Sequence, residues 1–224
     1  LGTKTESDEA TCARYIDKEG QTPAYTDGKC CLPCPKGTYQ NELSKTKCKV
    51  CPIARYNDKG PSYVATDHRY HDDVDDCKIC PAGRFNARRG VNPQFHDALE
   101  DCKKCKAGKY LDDPGLDARK HDGPDDCKLC EAGRASSAEG VAFSCDCKLC
   151  SPGTITSRMG MTECIPCNDT FFQNNVGGTA CTQCPNNPTQ FPKNVPLPSN
   201  NGKTACVVPS GVECDFEKQE GEKC

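Results

Sequence analysis

Residues Cys77–Phe85 read CKICPAGRF; 25 positions on, Cys102–Tyr110 reads CKKCKAGKY, and 25 further, Cys127–Ala135 reads CKLCEAGRA. That phrase decides the fold. Eight CxxC pairs recur along the chain: Cys31/Cys34, Cys48/Cys51, Cys77/Cys80, Cys102/Cys105, Cys127/Cys130, Cys147/Cys150, Cys164/Cys167 and Cys181/Cys184. Other residues keep step with them. Three residues beyond the second cysteine of a pair stands Gly37, Gly83, Gly108, Gly133 or Gly153. Five beyond stands Tyr39, Tyr56, Phe85, Tyr110, Ile155 or Phe172, with Ala135 and Thr189 as departures. Ten beyond stands Gly90, Gly115, Gly140, Gly160 or Gly177. Self-similarity at such a period marks units that cannot fold alone and share their small cores by stacking. The first glycine allows a turn directly after the cysteine. The aromatic is expected to start a short strand and pack on the neighbouring disulfide, and the second glycine to mark a hairpin tip or bulge.

Composition points the same way. The chain has 22 cysteines in 224 residues, whereas Leu, Ile, Val and Phe together number 31 and Trp is absent. A chain of this length normally stabilises itself by burying apolar surface, and here there is too little. The formal net charge of −3 separates the chain from highly charged disordered sequences. What remains is a disulfide scaffold, which belongs to an oxidising, secreted or cell-surface setting. A disulfide closing a loop of about 15 residues contributes roughly 3 kcal/mol in the chain-entropy model, so a series of them replaces the missing core. The expected fold is a set of small disulfide-rich repeats forming an elongated rod of stacked short β-hairpins with little helix. The expected organisation is an N-terminal cap (1–30), tandem CxxC-bounded repeats (31–184), a Pro-rich final loop (185–206) and an acidic disulfide tail (207–224). No stretch reaches the roughly 18–20 apolar residues of a membrane span. The first residue is Leu1, which fits a processed chain or a segment of a longer one.

CCLPCPKGTY (Cys30–Tyr39) resembles the tumour-necrosis-factor-receptor cysteine-rich domain, adjacent cysteines included. The recurrent CKxCxAG is more similar to the cysteine-rich repeat of ephrin-receptor extracellular regions, a repeat found in long arrays in surface proteins of algae, oomycetes and ciliates. The resemblance spans about Cys12 to Cys206. It implies a bond from the second cysteine of each pair to the first of the next: Cys34–Cys48, Cys51–Cys77, Cys80–Cys102, Cys105–Cys127, Cys130–Cys147, Cys150–Cys164 and Cys167–Cys181. Cys184–Cys206 then closes the last loop, Cys12–Cys30 caps the N-terminus and Cys214–Cys224 the C-terminus. Cys31 and Cys145 are left over for intermolecular bonds.

Two CxxC pairs about 13 residues apart can hold zinc, but the variable spacing and the six extra cysteines favour disulfides. A second constellation, His-Asp-x-x-Asp/Glu-Asp-Cys, begins at His71, His96 and His121. Read as metal chemistry, it offers calcium the carboxylates of Asp72, Asp75, Asp76, Asp97, Asp101, Asp122, Asp125 and Asp126. Read plainly, it is a turn in which Asp caps backbone N–H groups and pairs with Arg84, Lys109 or Arg134, which share the 25-residue period. The plain reading is preferred, and no cofactor is expected. No nucleophile elbow or phosphate loop is present, and a Cys–His nucleophile would need a free thiolate, so no enzyme is expected. Balanced charge argues against nucleic acid.

Asn168-Asp169-Thr170 is an N-glycosylation sequon. The four prolines of Asn186–Asn200 favour an extended strand or polyproline form, read plainly as a linker or last-loop insertion and functionally as an arm with Phe191, Val195 and Leu197 as anchors on a neighbouring subunit. These features lead to a non-enzymatic extracellular structural protein, a subunit of a surface fibre, coat or flagellar hair of a protist or alga. Its partners would be further copies of itself in a homo-oligomer or filament, other surface proteins, and glycans. The alternative is a receptor-like ectodomain that binds a protein ligand.

Overall fold

The computed structural model describes residues 3–6, 25–26, 29–42, 47–60, 71–187 and 195–207. The chain divides into two units, residues 1–105 with 111–128 and residues 106–110 with 129–224. Both are built from one repeat, which begins at the second cysteine of a CxxC. The chain turns within three residues and forms a two-residue strand at positions four and five. In six repeats that strand pairs antiparallel with the two residues inside the next CxxC. Thr38–Tyr39 pairs with Lys49–Val50, Arg55–Tyr56 with Lys78–Ile79, and Arg84–Phe85 with Lys103–Lys104. In the second unit Arg134–Ala135 pairs with Lys148–Leu149, Thr154–Ile155 with Ile165–Pro166, and Phe171–Phe172 with Thr182–Gln183. A seventh hairpin joins Asn186–Asn187 to Val195–Pro196 within the Pro-rich stretch. Near the N-terminus, Thr3–Glu6, Lys29–Pro33 and Tyr25–Thr26 form a three-stranded sheet. Helical structure among the described residues is confined to single 3-10 turns such as Val74–Asp76, Leu99–Asp101 and Pro124–Asp126.

A two-residue hairpin is not stable by itself in water. Eight disulfides close these repeats: Cys34–Cys48, Cys51–Cys77, Cys80–Cys102, Cys105–Cys127, Cys130–Cys147, Cys150–Cys164, Cys167–Cys181 and Cys184–Cys206. They are the bonds that the resemblance implies between Cys34 and Cys206. Cys12–Cys30, Cys214–Cys224 and the side chain of Cys31 lie outside the described residues. The sulfurs are themselves most of the core. Tyr56 packs on Cys80–Cys102 with Leu99 beside it, and Phe85 packs on Cys105–Cys127 with Leu111. Each aromatic therefore covers the following repeat's disulfide, although it ends its strand rather than starting it.

Main-chain hydrogen bonds join successive repeats by a fixed rule. The N–H at position three donates to the carbonyl at position six of the next repeat: Gly37 to Asn57 (2.9 Å), Ala54 to Asn86 (2.9 Å), Gly83 to Leu111 (2.9 Å), Gly108 to Ser136 (2.8 Å), Gly133 to Thr156 (2.9 Å). The carbonyl at position three accepts from the second cysteine of the next CxxC, as in Cys105 N to Gly83 O and Cys150 N to Gly133 O, both 2.9 Å. The glycines follow from contacts one repeat further on. A Cβ on Gly108 would lie 2.2 Å from the Gly160 carbonyl oxygen, and one on Gly133 would lie 2.3 Å from that of Gly177. Both glycines also have left-handed φ, +77° and +80°. The later glycines, Gly160 and Gly177, lie at the middle of the loops that connect each strand pair, as expected of hairpin tips, and there they also bring backbone against backbone. Gly160 N and Gly177 N each donate across 2.7 Å, to Cys130 O and Cys150 O. Leu197, expected as an outward anchor, is buried within its own chain.

Candidate functional site

The three repeats that carry the His-Asp phrase are distinguished by a buried imidazole. His71, His96 and His121 are 1%, 0% and 0% exposed. Each ring sends Nδ1 to the position-four carbonyl of the preceding repeat: His71 to Thr38 O (2.8 Å), His96 to Arg55 O (2.8 Å), His121 to Arg84 O (2.7 Å). A carbonyl only accepts, so Nδ1 carries a proton in all three. The same residues' carbonyls accept from Gln40 N, Asn57 N and Asn86 N. Each histidine therefore clips the preceding repeat twice, once through its side chain and once through its backbone. Behind the rings, the amide nitrogens of Asn57 and Asn86 stand 3.2 and 3.4 Å from the Nδ1 atoms of His71 and His96. At His121 the far nitrogen, Nε2, faces Asp113 Oδ1 at 3.1 Å. Burial pushes the Asp113 carboxyl up, but N–H groups of Leu116 and Asp117, with His121 and Lys120, outweigh it and hold the group well below the usual carboxylate range.

The carboxylates read as a calcium set do something else. Asp76 Oδ2 accepts from the N–H groups of Asp72 and Asp73, Asp101 Oδ2 from Asp97 and Ala98, and Asp126 Oδ2 from Gly123, all within 2.8–3.0 Å. They close the 3-10 turn before each first cysteine, the capping role open to any Asp. Asp72, Asp75, Asp97, Asp122 and Asp125 are not brought together with them around an ion: among the described residues no three His, Cys, Asp or Glu side chains form a group able to hold a metal. Among the described residues no ion pair joins these Asp residues to Arg84, Lys109 or Arg134; Asp75 pairs with Arg55, which holds the equivalent place one repeat earlier (3.0 Å). Arg84 and Arg134 instead donate to the carbonyls of Cys102 and Cys147, at 3.0 and 2.9 Å. A carbonyl partner satisfies the guanidinium without requiring an acid at a fixed position, which is why the charge pattern alone misassigned it.

Position six was not singled out in the sequence, yet it carries the ladder. Gln40, Asn57, Asn86, Ser136 and Thr156 are buried there. The available signal was a small or amide polar residue recurring one place after the aromatic. Cys145 is a free, exposed thiol. Asn168 is exposed in the turn before Phe171–Phe172. It lines a surface groove of about 520 Å³ with Ile155, Met161, Ile165, Pro166 and Phe171. No helix of the described residues is long and apolar enough to cross a membrane.

Sequential disulfides, two-residue hairpins and an unbroken repeat rule within each unit define a cysteine-rich repeat array, of the extracellular, disulfide-stapled kind. Residues 22–67 and 153–193 match the family model described as tyrosine-protein kinase ephrin type A/B receptor-like. These two regions are similar to that family, and the repeats between them follow the same backbone rule. No curated protein matches the chain.

Proposed function

We propose that this chain is a non-enzymatic structural element of an extracellular surface assembly, such as a fibre, coat or flagellar hair, built from copies of itself. The observation that carries this reading is the repeat rule: within each unit, disulfides and main-chain bonds lock every turn to the next, an arrangement suited to holding fixed spacing. Exposed Cys145 supplies a covalent link between copies, and exposed Asn168 an N-glycan that keeps the assembled surface hydrated. The test is intact mass and free-thiol count on native material, before and after reduction. Disulfide-linked multimers that reduction collapses, and that Cys145→Ser abolishes, are the expected result. Monomers whose Cys145 titrates as a free thiol would remove the covalent link. A second reading, a receptor-like ectodomain that binds a protein ligand, draws on the ephrin-receptor-like match. A transcript that continues into a membrane span and a signalling domain would favour it.

A further inference from the structure

In five successive pairs the residue after the first cysteine is lysine: Lys49, Lys78, Lys103, Lys128 and Lys148. Three of these lysines reach the residue seven places after the second cysteine of their own repeat. Lys49 bonds Asn41 (2.7 Å) and also Glu42, Lys78 bonds Asp58 (2.8 Å), and Lys128 bonds Asp112 (2.8 Å). The Lys78 and Lys128 ammonium groups hold the Asp58 and Asp112 carboxyls below their usual range. Two repeats break the pattern: the fifth, with Ser137 at that place, and the third. The seventh position of the third is Ala87, and the next two residues are Arg88 and Arg89.

Lys103 lies opposite Phe85 in the strand register, as Lys78 lies opposite Tyr56. By register it holds the place from which Lys78 reaches Asp58, and the matching seventh position in its own repeat is Ala87. The Arg88 guanidinium is held over the Phe95 ring, 4.7 Å from its centroid. Arg88, Arg89, Lys103 and Lys104 are all exposed, and none is in an ion pair among the described residues. Among the described residues, none of this repeat's acids, Asp97, Glu100 and Asp101, forms an ion pair with them. Asp101 is committed to the N–H groups of Asp97 and Ala98. A chain of net charge −3 thus carries four exposed cations outside any ion pair on one small repeat.

We infer that this face of the third repeat binds an acidic polysaccharide, sulfated or uronate-bearing, through Arg88, Arg89 and Lys103. Guanidinium forks match sulfate and carboxylate oxygens two at a time. The cations stand on open surface rather than in a pocket, which fits a linear polyanion better than a small anion. Nucleic acid is disfavoured because the aromatic beside the patch, Phe95, has Arg88 over its face and is not free to stack on bases. The inference is independent of whether the chain serves as a scaffold or a receptor.

The test passes the full-length secreted chain over immobilised heparin and over immobilised polygalacturonate, the sulfated and uronate probes. Retention at about 0.15 M salt is expected on at least one of them. Arg88→Gln/Arg89→Gln/Lys103→Gln should lose it, with the slope of log affinity against log salt falling by about two. Ala87→Asp leaves all four cations in place but supplies the missing partner of Lys103, and should elute at lower salt than the parent chain. Lys128→Gln, which removes a lysine already paired, should elute with the parent. Disulfide mapping confirms that each variant is folded. The inference is overturned if the parent chain is not retained at that salt, or if the triple variant and Ala87→Asp are retained as well as the parent. Displacement by single-stranded DNA at a lower charge concentration than by heparin would also overturn it, since the preferred partner would then be a nucleic acid.

Discussion

The long repeats closed by Cys51–Cys77, Cys80–Cys102 and Cys105–Cys127 span 26, 22 and 22 positions; the short ones closed by Cys150–Cys164 and Cys167–Cys181 span 14. Both kinds keep the same main-chain rule at positions three and six. They differ in how the gap behind position six is closed. In the long repeats a histidine fills it, accepting with its carbonyl and donating with its ring. In the second unit Thr156 N bonds Gly178 O (3.1 Å) and Ser136 N bonds Met161 O (3.2 Å), with no ring behind them. Thr156 Oγ1, buried, accepts from Gly133 N (2.7 Å) instead. The ladder is therefore a backbone property, and the clip is what extra loop length adds to it.

The rule common to both kinds breaks most severely at the position-three glycine. Gly133→Ala is expected to cost beyond about 4 kcal/mol, because the new Cβ meets a carbonyl and the φ is left-handed. Disulfide mapping should show scrambled pairs and the secreted yield should fall. Ala54 already holds the equivalent place at φ +66°, so Ala54→Gly should stay within about 1 kcal/mol of the parent. Equal effects at the two positions would refute the contact argument.

The clip itself separates the two kinds. His96→Ala should cost about 3 kcal/mol, the sum of a cavity and an orphaned Arg55 carbonyl, whereas Thr156→Val should cost about 1 kcal/mol. Hydrogen exchange at Asn57 N–H and Gly133 N–H reads the two losses separately. Similar protection losses would mean that the ring adds nothing beyond filler.

Acid sharpens the comparison within the long repeats. The folded Asp113 carboxyl lies below its unfolded value of about 3.9. Its contribution is complete above about pH 4 and is lost as the pH falls from there toward the folded value. Amide exchange at Asn86, which bonds the His121 carbonyl, should accelerate across that window in the parent chain and not in Asp113→Asn. The third repeat has Arg89 O at 3.3 Å from the His96 Nε2 in place of a carboxylate, and the Asn57 amide, which donates to the His96 carbonyl, should show no such step from this source.

The smallest expected difference is at the caps. Asp101 accepts two N–H groups at 3.0 Å, whereas Asp146 accepts one, from Phe143, at 3.2 Å. Asp101→Ala should cost about 1–2 kcal/mol and Asp146→Ala about half as much, read from urea midpoints.

The architecture was legible because it is written in backbone-restricted residues. Cysteine spacing and the glycines at 37, 83, 108 and 133 record where the chain must turn or touch, and few substitutes exist for either. The sites were less legible because their chemistry depends on partners one repeat away. His96 is one of four histidines in an acidic stretch until the fold brings it to Arg55 O, 41 positions back. Asp126 has the composition of a metal ligand and the geometry of a cap. Ala87 is unremarkable alone, and carries meaning only beside Asp58 and Asp112, which occupy the same place in adjoining repeats.

The order of the disulfides bears on how the chain is made. In seven of the eight loops the second cysteine of a CxxC bonds the very next cysteine to leave the ribosome. Oxidation that proceeds from the N-terminus then finds the native partner first, with no choice to make. After Cys130 the rule fails, because Cys145 emerges two residues ahead of Cys147. That loop is the one step between Cys34 and Cys206 at which the first thiol to arrive is not the native partner.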